Sequence, residues 1–88
     1  MDFVHYDLGQ LKPGQTVEVT LSDQANVLLL DTANFDAYRS GRQYTYFGGW
    51  VTQTPYRIGL PRVAHWHIVV DLGGAAGSIQ SAVRVLGR

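Results

Sequence analysis

Strict alternation of apolar and polar side chains most limits what this chain can fold into. In Thr16–Ser22, every odd position is apolar and every even position is polar. This period of two is typical of a half-buried β-strand. His65–Leu72 repeats the pattern, and its apolar face carries Trp66, Ile68, Val70 and Leu72. Both segments therefore predict strands that each contribute one face to a core.

Turn residues divide the chain into about seven strand-like segments. A type II turn is predicted at Lys12–Gln15. Later strand-like segments are interrupted at Gly48-Gly49 and at Pro61–Val63, and a loose hairpin is predicted at Gly73–Gly77. The predicted strands are Phe3–Leu8, Thr16–Ser22, Asn26–Asp31, Gln43–Phe47, Trp50–Ile58, His65–Leu72 and Ser78–Leu86. This count favours an all-β fold, either a two-sheet antiparallel β-sandwich of jelly-roll type or a partly open barrel. The predicted core is Val17, Val19, Leu21, Leu28, Leu30, Trp66, Ile68, Val70, Val83 and Val85.

One short helix is predicted after the third strand. Phe35 and Tyr38 are three positions apart, and Gly41 stands where a helix C′ residue belongs. Thr32 or Asn34 is expected to cap the first turn. The helix would lay its two aromatic rings across an open edge or end of the sheet.

Length and charge narrow the functional classes. The 88 residues predict a single β-sandwich domain over 1–88. Seven Lys and Arg balance seven Asp and Glu, so neither nucleic acid nor a membrane surface is an expected partner. The chain has no cysteine, and its first five residues lack the pattern of a secretory signal. A cytoplasmic location is the expectation.

The most informative polar positions are His65 and His67, which share one face of their strand about 6.5–7 Å apart. A His-x-His pair presents two nitrogen ligands to zinc, copper or iron. A third ligand would come from His5, Asp7, Asp31 or Asp71. The metal hypothesis therefore names His65, His67 and Asp71, although no cofactor is predicted outright. The alternative is that both histidines are polar residues on a solvated strand face.

A second candidate surface is aromatic. Four aromatic residues lie within Tyr44–Trp50. Such side chains form amphipathic platforms that bind partner side chains or ring-shaped ligands, although strands favour tyrosine anyway. The candidate ligand or partner surface comprises Tyr44, Tyr46, Trp50, Tyr56, His65 and His67.

Motifs that would indicate an enzyme are missing from the sequence. The glycine-rich Gly73–Gly77 precedes a strand and carries no Lys-Ser or Lys-Thr, so it is not a phosphate-binding loop. No serine lies in a nucleophile-elbow context. We therefore predict a protein without catalytic residues.

Several strings together resemble a bacterial family called domain of unknown function 1883. They are Leu11-Lys12-Pro13-Gly14, Asn34-Phe35 with Tyr38 and Gly41-Arg42, Tyr46-Phe47-Gly48-Gly49, His65-Trp66-His67, and Asp71-Leu72-Gly73-Gly74. The resemblance covers nearly the whole chain. It implies an uncharacterised β-sandwich domain that occurs alone or beside others, including Toll/interleukin-1-receptor-like domains, and it assigns no catalytic residues.

Three functional hypotheses follow. The first is a non-enzymatic recognition module, a sensor or adaptor in bacterial signalling or defence, that binds an unknown protein or small molecule. The second is a small metal-binding protein that uses the His-x-His strand. The third is a structural homo-oligomer in which unpaired strand edges join between chains.

Overall fold

Two antiparallel sheets and one helix make up the computed structural model, which describes residues 3–73 and 77–87. The elements are β1 (Phe3–Leu11), β2 (Thr16–Leu21), β3 (Ala25–Asp31), α1 (Thr32–Arg39), β4 (Phe47–Val51), β5 (Tyr56–Gly59), β6 (Ala64–Asp71) and β7 (Ser81–Leu86). One sheet has the order β1-β6-β3-β4 and the other β5-β2-β7. The predicted all-β sandwich is confirmed, and within the described residues the sheets do not close into a barrel.

The main core lies between the two sheets, where the alternating residues of β2 and β6 meet. It includes Val17, Val19, Leu21, Ala25, Val27, Leu29, Trp66, Ile68 and Val70. Trp66 is 1% exposed, and its indole N–H donates to the carbonyl of Arg62 at 3.1 Å. Val85 was expected in this core, but it is 36% exposed, and Val83 is only partly buried. The reason is that β7 is an edge strand of the smaller sheet.

A second, smaller core covers the other face of the four-stranded sheet. Here Phe35 and Tyr38 of α1 pack on Leu28, Leu30 and Val69. Helix α1 therefore lies over the face of this sheet, whereas the sequence placed it at an edge or end. The consecutive apolar residues of β3 account for this position, because both faces of that strand need cover.

Side-chain and backbone hydrogen bonds fix both ends of α1. The N-cap is Asp31 and not Thr32 or Asn34 as predicted, and its Oδ1 accepts from the N–H of Asn34 at 2.9 Å. At the other end Gly41 has a φ of 73°, and the following N–H, of Arg42, donates to a helix carbonyl at 2.8 Å. Gly41 thus occupies the predicted C′ position.

The strand boundaries around Gly48-Gly49 differ from the prediction. These glycines lie inside β4 instead of separating two strands, and the residues 43–46 before them are not part of a strand. Gly48 has a φ of 117°, and a Cβ there would stand 2.2 Å from the carbonyl oxygen of Val27. Glycine at position 48 thus allows β4 to pair closely with β3. The prediction was wrong here because it interpreted Gly48-Gly49 as a break between two strands.

Two loops were also predicted from the sequence, at Lys12–Gln15 and at Gly73–Gly77. The turn at Lys12–Gln15 is confirmed, since the Gln15 N–H donates to the Lys12 carbonyl at 3.2 Å and Gly14 has a φ of 98°. The hairpin predicted at Gly73–Gly77 falls largely outside the described residues. Helix α1, with eight residues, is too short to cross a bilayer, and no helix elsewhere in 3–73 or 77–87 meets the requirement.

Candidate functional site

The β1–β6 ladder brings all three histidines of the chain onto one surface. This is the outer face of the four-stranded sheet, the face turned away from the three-stranded sheet. Asp7 on β1 pairs directly with His67 on β6, and His5 pairs with Val69. His65 lies two residues before His67 on the same side of β6. We call His5, Asp7, His65 and His67 the histidine cluster.

His67 lies at the centre of the histidine cluster and is 4% exposed. Its Nδ1 lies 2.8 Å from Nε2 of His5, and its Nε2 lies 2.9 Å from the Thr32 hydroxyl. Burial lowers the pKa of His67 from its ordinary value of 6.5, which favours a neutral ring. A neutral imidazole has one donor and one acceptor nitrogen, so His67 uses both. The ring is thereby oriented between β1 and the start of α1.

The His65–Asp7 pair forms the open side of the histidine cluster. Nε2 of His65 lies 2.6 Å from Oδ1 of Asp7, and the two side chains are 48% and 56% exposed. The same oxygen accepts the N–H of Gly9 at 3.0 Å. That backbone hydrogen bond, followed by the one from His65, lowers the pKa of Asp7. Asp7 is therefore an anion that two donors hold in place.

Aromatic rings surround the imidazoles. Phe35 of α1 stacks on His5 with a centroid separation of 4.0 Å and on His67 with one of 4.8 Å. The rings of His65 and His67 are 4.9 Å apart and nearly parallel. The helix thus covers one side of the histidine cluster, and the His65 side stays open.

Asp71 was named with His65 and His67 as a metal ligand, and the structure gives it different partners. It accepts hydrogen bonds from the Tyr38 hydroxyl at 2.7 Å, from the Asn26 amide at 3.0 Å and from the Gly73 N–H at 2.8 Å. It lies four positions beyond His67, about 13 Å along the strand. Its role is to anchor α1 and the end of β6.

The carboxylate that lies beside His65 and His67 is that of Asp7, whereas the sequence hypothesis named Asp71. Donor atoms of Asp7, His65 and His67 all lie within 4.8 Å of one another, close enough to hold a metal ion. Sequence reasoning kept Asp7 only as one of four options, because the pairing of β1 with β6 is not visible in the local pattern. Asp31, another option, caps α1 and forms an ion pair with Arg62.

The tyrosines expected on one platform are divided between different parts of the fold. Tyr44 packs edge-on against Tyr38 at 5.2 Å, beside the smaller core. Tyr56 lies on β5, in the other sheet, and packs against the main core. Tyr46 and Trp50 remain exposed, at 47% and 52%.

Phe47 is a third exposed aromatic residue, but it lies on the opposite face of β4 from Trp50, because it pairs with Leu29 of the main core. It is 48% exposed, and its ring meets the edge of Trp66 at 6.2 Å. We call Tyr46, Phe47 and Trp50 the aromatic edge. The signal that could have identified it is the absence of charge, since no residue from 43 to 56 is Asp, Glu, Lys or Arg.

Neither the curated proteins nor the solved structures contain a match to this chain. A family model does match, and it covers residues 1–88. The chain therefore belongs to the family described as domain of unknown function 1883 (DUF1883).

Proposed function

We propose that this domain is a non-catalytic recognition module that binds an extended, uncharged segment of another protein along β4. The observation that carries the proposal is the aromatic edge, whose three large side chains are each about half exposed within five consecutive positions. Aromatic residues are enriched in protein interfaces and dominate their binding energy.

The position of β4 supports the addition of a strand there. It is the last strand of the order β1-β6-β3-β4, so one side of its backbone has no neighbouring strand within the described residues. Edge strands of this kind pair with foreign chains unless charges, prolines or bulges prevent it. β4 has the sequence Phe-Gly-Gly-Trp-Val and contains neither a charge nor a proline. Peptide recognition by strand addition uses such an edge.

The chemistry of β4 indicates what the partner presents. Trp50 pairs with Asn26, and Gly48 pairs with Leu28, so both lie on the outer face. Gly48 has no side chain, which leaves space beside Trp50. Without a charged residue from 43 to 56, nothing there would attract a charged peptide. An apolar or neutral segment with alternating side chains fits this edge best.

A recognition role of this kind suits a sensor or adaptor in a bacterial signalling or defence system, which is the setting that the family resemblance implies. The proposal assigns the domain no catalytic residue. The partner is a segment of a different protein, and pairing of two β4 strands from copies of this chain is the competing outcome.

A displayed peptide library panned against the purified domain tests the proposal. The parent protein should enrich uncharged peptides with alternating apolar positions. Tyr46→Ala combined with Trp50→Ala should weaken binding of a selected peptide at least about 10-fold, because aromatic anchors contribute about 1.4 kcal/mol or more. Val85→Ala is the matched control, since it removes an exposed apolar side chain from β7.

A second readout identifies strand addition itself. N-methylation of alternate backbone amides in the selected peptide should abolish binding, because the side chains persist while the ladder hydrogen bonds are lost. The proposal fails if the library yields no peptide that prefers the parent over the double variant. It also fails if sedimentation shows a dimer that the double variant disrupts, because a second copy would then occupy β4.

A further inference from the structure

The histidine cluster has a chemistry that the proposed recognition role does not use. It places three imidazoles and one carboxylate on the β1–β6 ladder, and its positions serve neither β4 nor the core between the sheets. Imidazole and carboxylate donors together suit zinc and its neighbours among the divalent transition metals. We propose that His65, His67 and Asp7 bind one divalent ion of the zinc class, with His5 as a fourth ligand.

The spacing of the donor atoms fits a single ion. Zinc binds nitrogen and oxygen ligands at about 2.0–2.2 Å, so ligand atoms in a tetrahedral site stand about 3.3–3.6 Å apart. Donor atoms of Asp7, His65 and His67 lie within 4.8 Å of one another. The His65 side chain is about half exposed, so it has room to rotate toward an ion beside Asp7.

His67 and His5 also have compatible geometry. The Thr32 hydroxyl holds Nε2 of His67, so Nδ1 is the nitrogen that can turn to a metal. Nε2 of His5 lies 2.8 Å from that Nδ1, near the separation of two ligands on one ion. Binding would replace the hydrogen bond between the two rings, while the Thr32 contact remains as the outer hydrogen bond that orients a ligand histidine.

The surroundings suit an ion that enters from solvent. His65 and Asp7 form the open side, and Phe35 closes the opposite side by stacking on His5 and His67. The Gly9 N–H holds the Asp7 carboxylate at 3.0 Å, so this ligand is oriented before the ion arrives. Two adjacent strands carry all four ligands, which limits their relative movement.

Cobalt spectroscopy on protein prepared without an affinity tag tests the inference. All three histidines of the chain belong to the histidine cluster, so any imidazole that binds Co²⁺ in untagged protein comes from that cluster. Addition of Co²⁺ should produce the visible bands of a low-coordinate ion, saturate at one equivalent, and disappear when Zn²⁺ is added. His65→Gln and Asp7→Asn should each weaken Zn²⁺ binding in calorimetry at least about 10-fold, since even an outer-shell change costs that much. Asp23→Asn, an exposed acid in the β2–β3 turn, should bind as the parent does.

Both test positions are exposed, so the variants should fold, and far-ultraviolet circular dichroism checks that they do. The inference is overturned if Co²⁺ keeps the spectrum of the hydrated ion at millimolar concentration. Equal Zn²⁺ affinity in the parent, His65→Gln and Asp7→Asn would overturn it as well. Neither result bears on peptide binding at β4, so this inference and the proposed function succeed or fail separately.

Discussion

The Tyr38 hydroxyl donates a 2.7 Å hydrogen bond to Oδ2 of Asp71, and this contact fastens α1 to the outer face of β6. Both side chains are buried, at 3% and 7% exposure. The carboxylate also receives donors from Asn26 and Gly73, so its charge is distributed over three hydrogen bonds. Removal of one donor leaves a buried anion less well compensated.

Tyr38→Phe should therefore lower the free energy of unfolding by about 1–3 kcal/mol, the cost of an unsatisfied buried partner. Urea denaturation followed by circular dichroism measures it. Tyr46→Phe removes an exposed hydroxyl and should change stability by less than about 0.5 kcal/mol. Equal effects of the two substitutions would mean that the bond to Asp71 contributes no more than solvent does.

The same phenol should resist ionisation. Burial, and then the hydrogen bond to Asp71, raise the pKa of Tyr38 far above its ordinary value of 10.0. The folded state keeps a proton that the unfolded state loses, so this contribution is complete below pH 10 and declines as the pH rises further. The difference in phenolate absorbance between parent and Tyr38→Phe should appear only as the parent unfolds. A difference that develops near pH 10 in folded protein would contradict this expectation.

Glu18 should make stability depend on acid pH. It is buried on the middle strand β2 between Arg84 and Arg57, at 2.5 and 2.8 Å. The hydrogen bond from Arg84, and then that from Arg57, lower the pKa of Glu18 from 4.5. The stabilisation is therefore present above pH 4.5 and is lost as the pH falls through the lowered pKa.

Thermal melts of Glu18→Gln from neutral to acid pH should accordingly show a shallower decline below pH 4.5 than melts of the parent. Arg84→Gln should flatten the same part of the curve. An unchanged acid slope in both variants would remove Glu18 as its cause.

Gly48 should tolerate no side chain. Gly48→Ala would place a methyl group 2.2 Å from the Val27 carbonyl oxygen at a φ of 117°, so the steric and backbone penalties together destabilise the fold by about 2–6 kcal/mol. Gly59→Ala is the control, because its Cβ would meet nothing within 4 Å. Its free energy of unfolding should stay within about 0.5 kcal/mol of the parent. A mild effect at Gly48 would show that β4 can move away from β3 at little cost.

The sequence correctly predicted core residues in strands where apolar and polar side chains alternate. Alternate residues of β2 and β6 face the core between the sheets, so Val17, Val19, Trp66 and Ile68 were predicted in the core, and all are fully buried. The prediction failed at β4, where glycine serves a close approach between strands and looks like a turn. A local pattern does not distinguish these two uses of glycine.

The candidate metal site shows the same limit. His65 and His67 follow from their spacing, but their partner Asp7 lies 58 residues before His65 in the chain. The burial of His67 depends on α1, which the sequence placed at an edge of the sheet. Local patterns identify which side chains share a strand face, and only strand pairing determines what that face meets.

A shift of register in β1 has a consequence for how this protein can vary. Asp7 pairs with His67 and Gly9 with Trp66, so Leu8 is an extra residue in the ladder. Asp7 itself stabilises this bulge by accepting the Gly9 N–H, and it also contacts His65. One carboxylate thus serves both the backbone and the histidines. In related proteins, we expect a deletion at position 8 to be accompanied by replacement of Asp7 and His65 together, so that the two strands change as a single inherited unit.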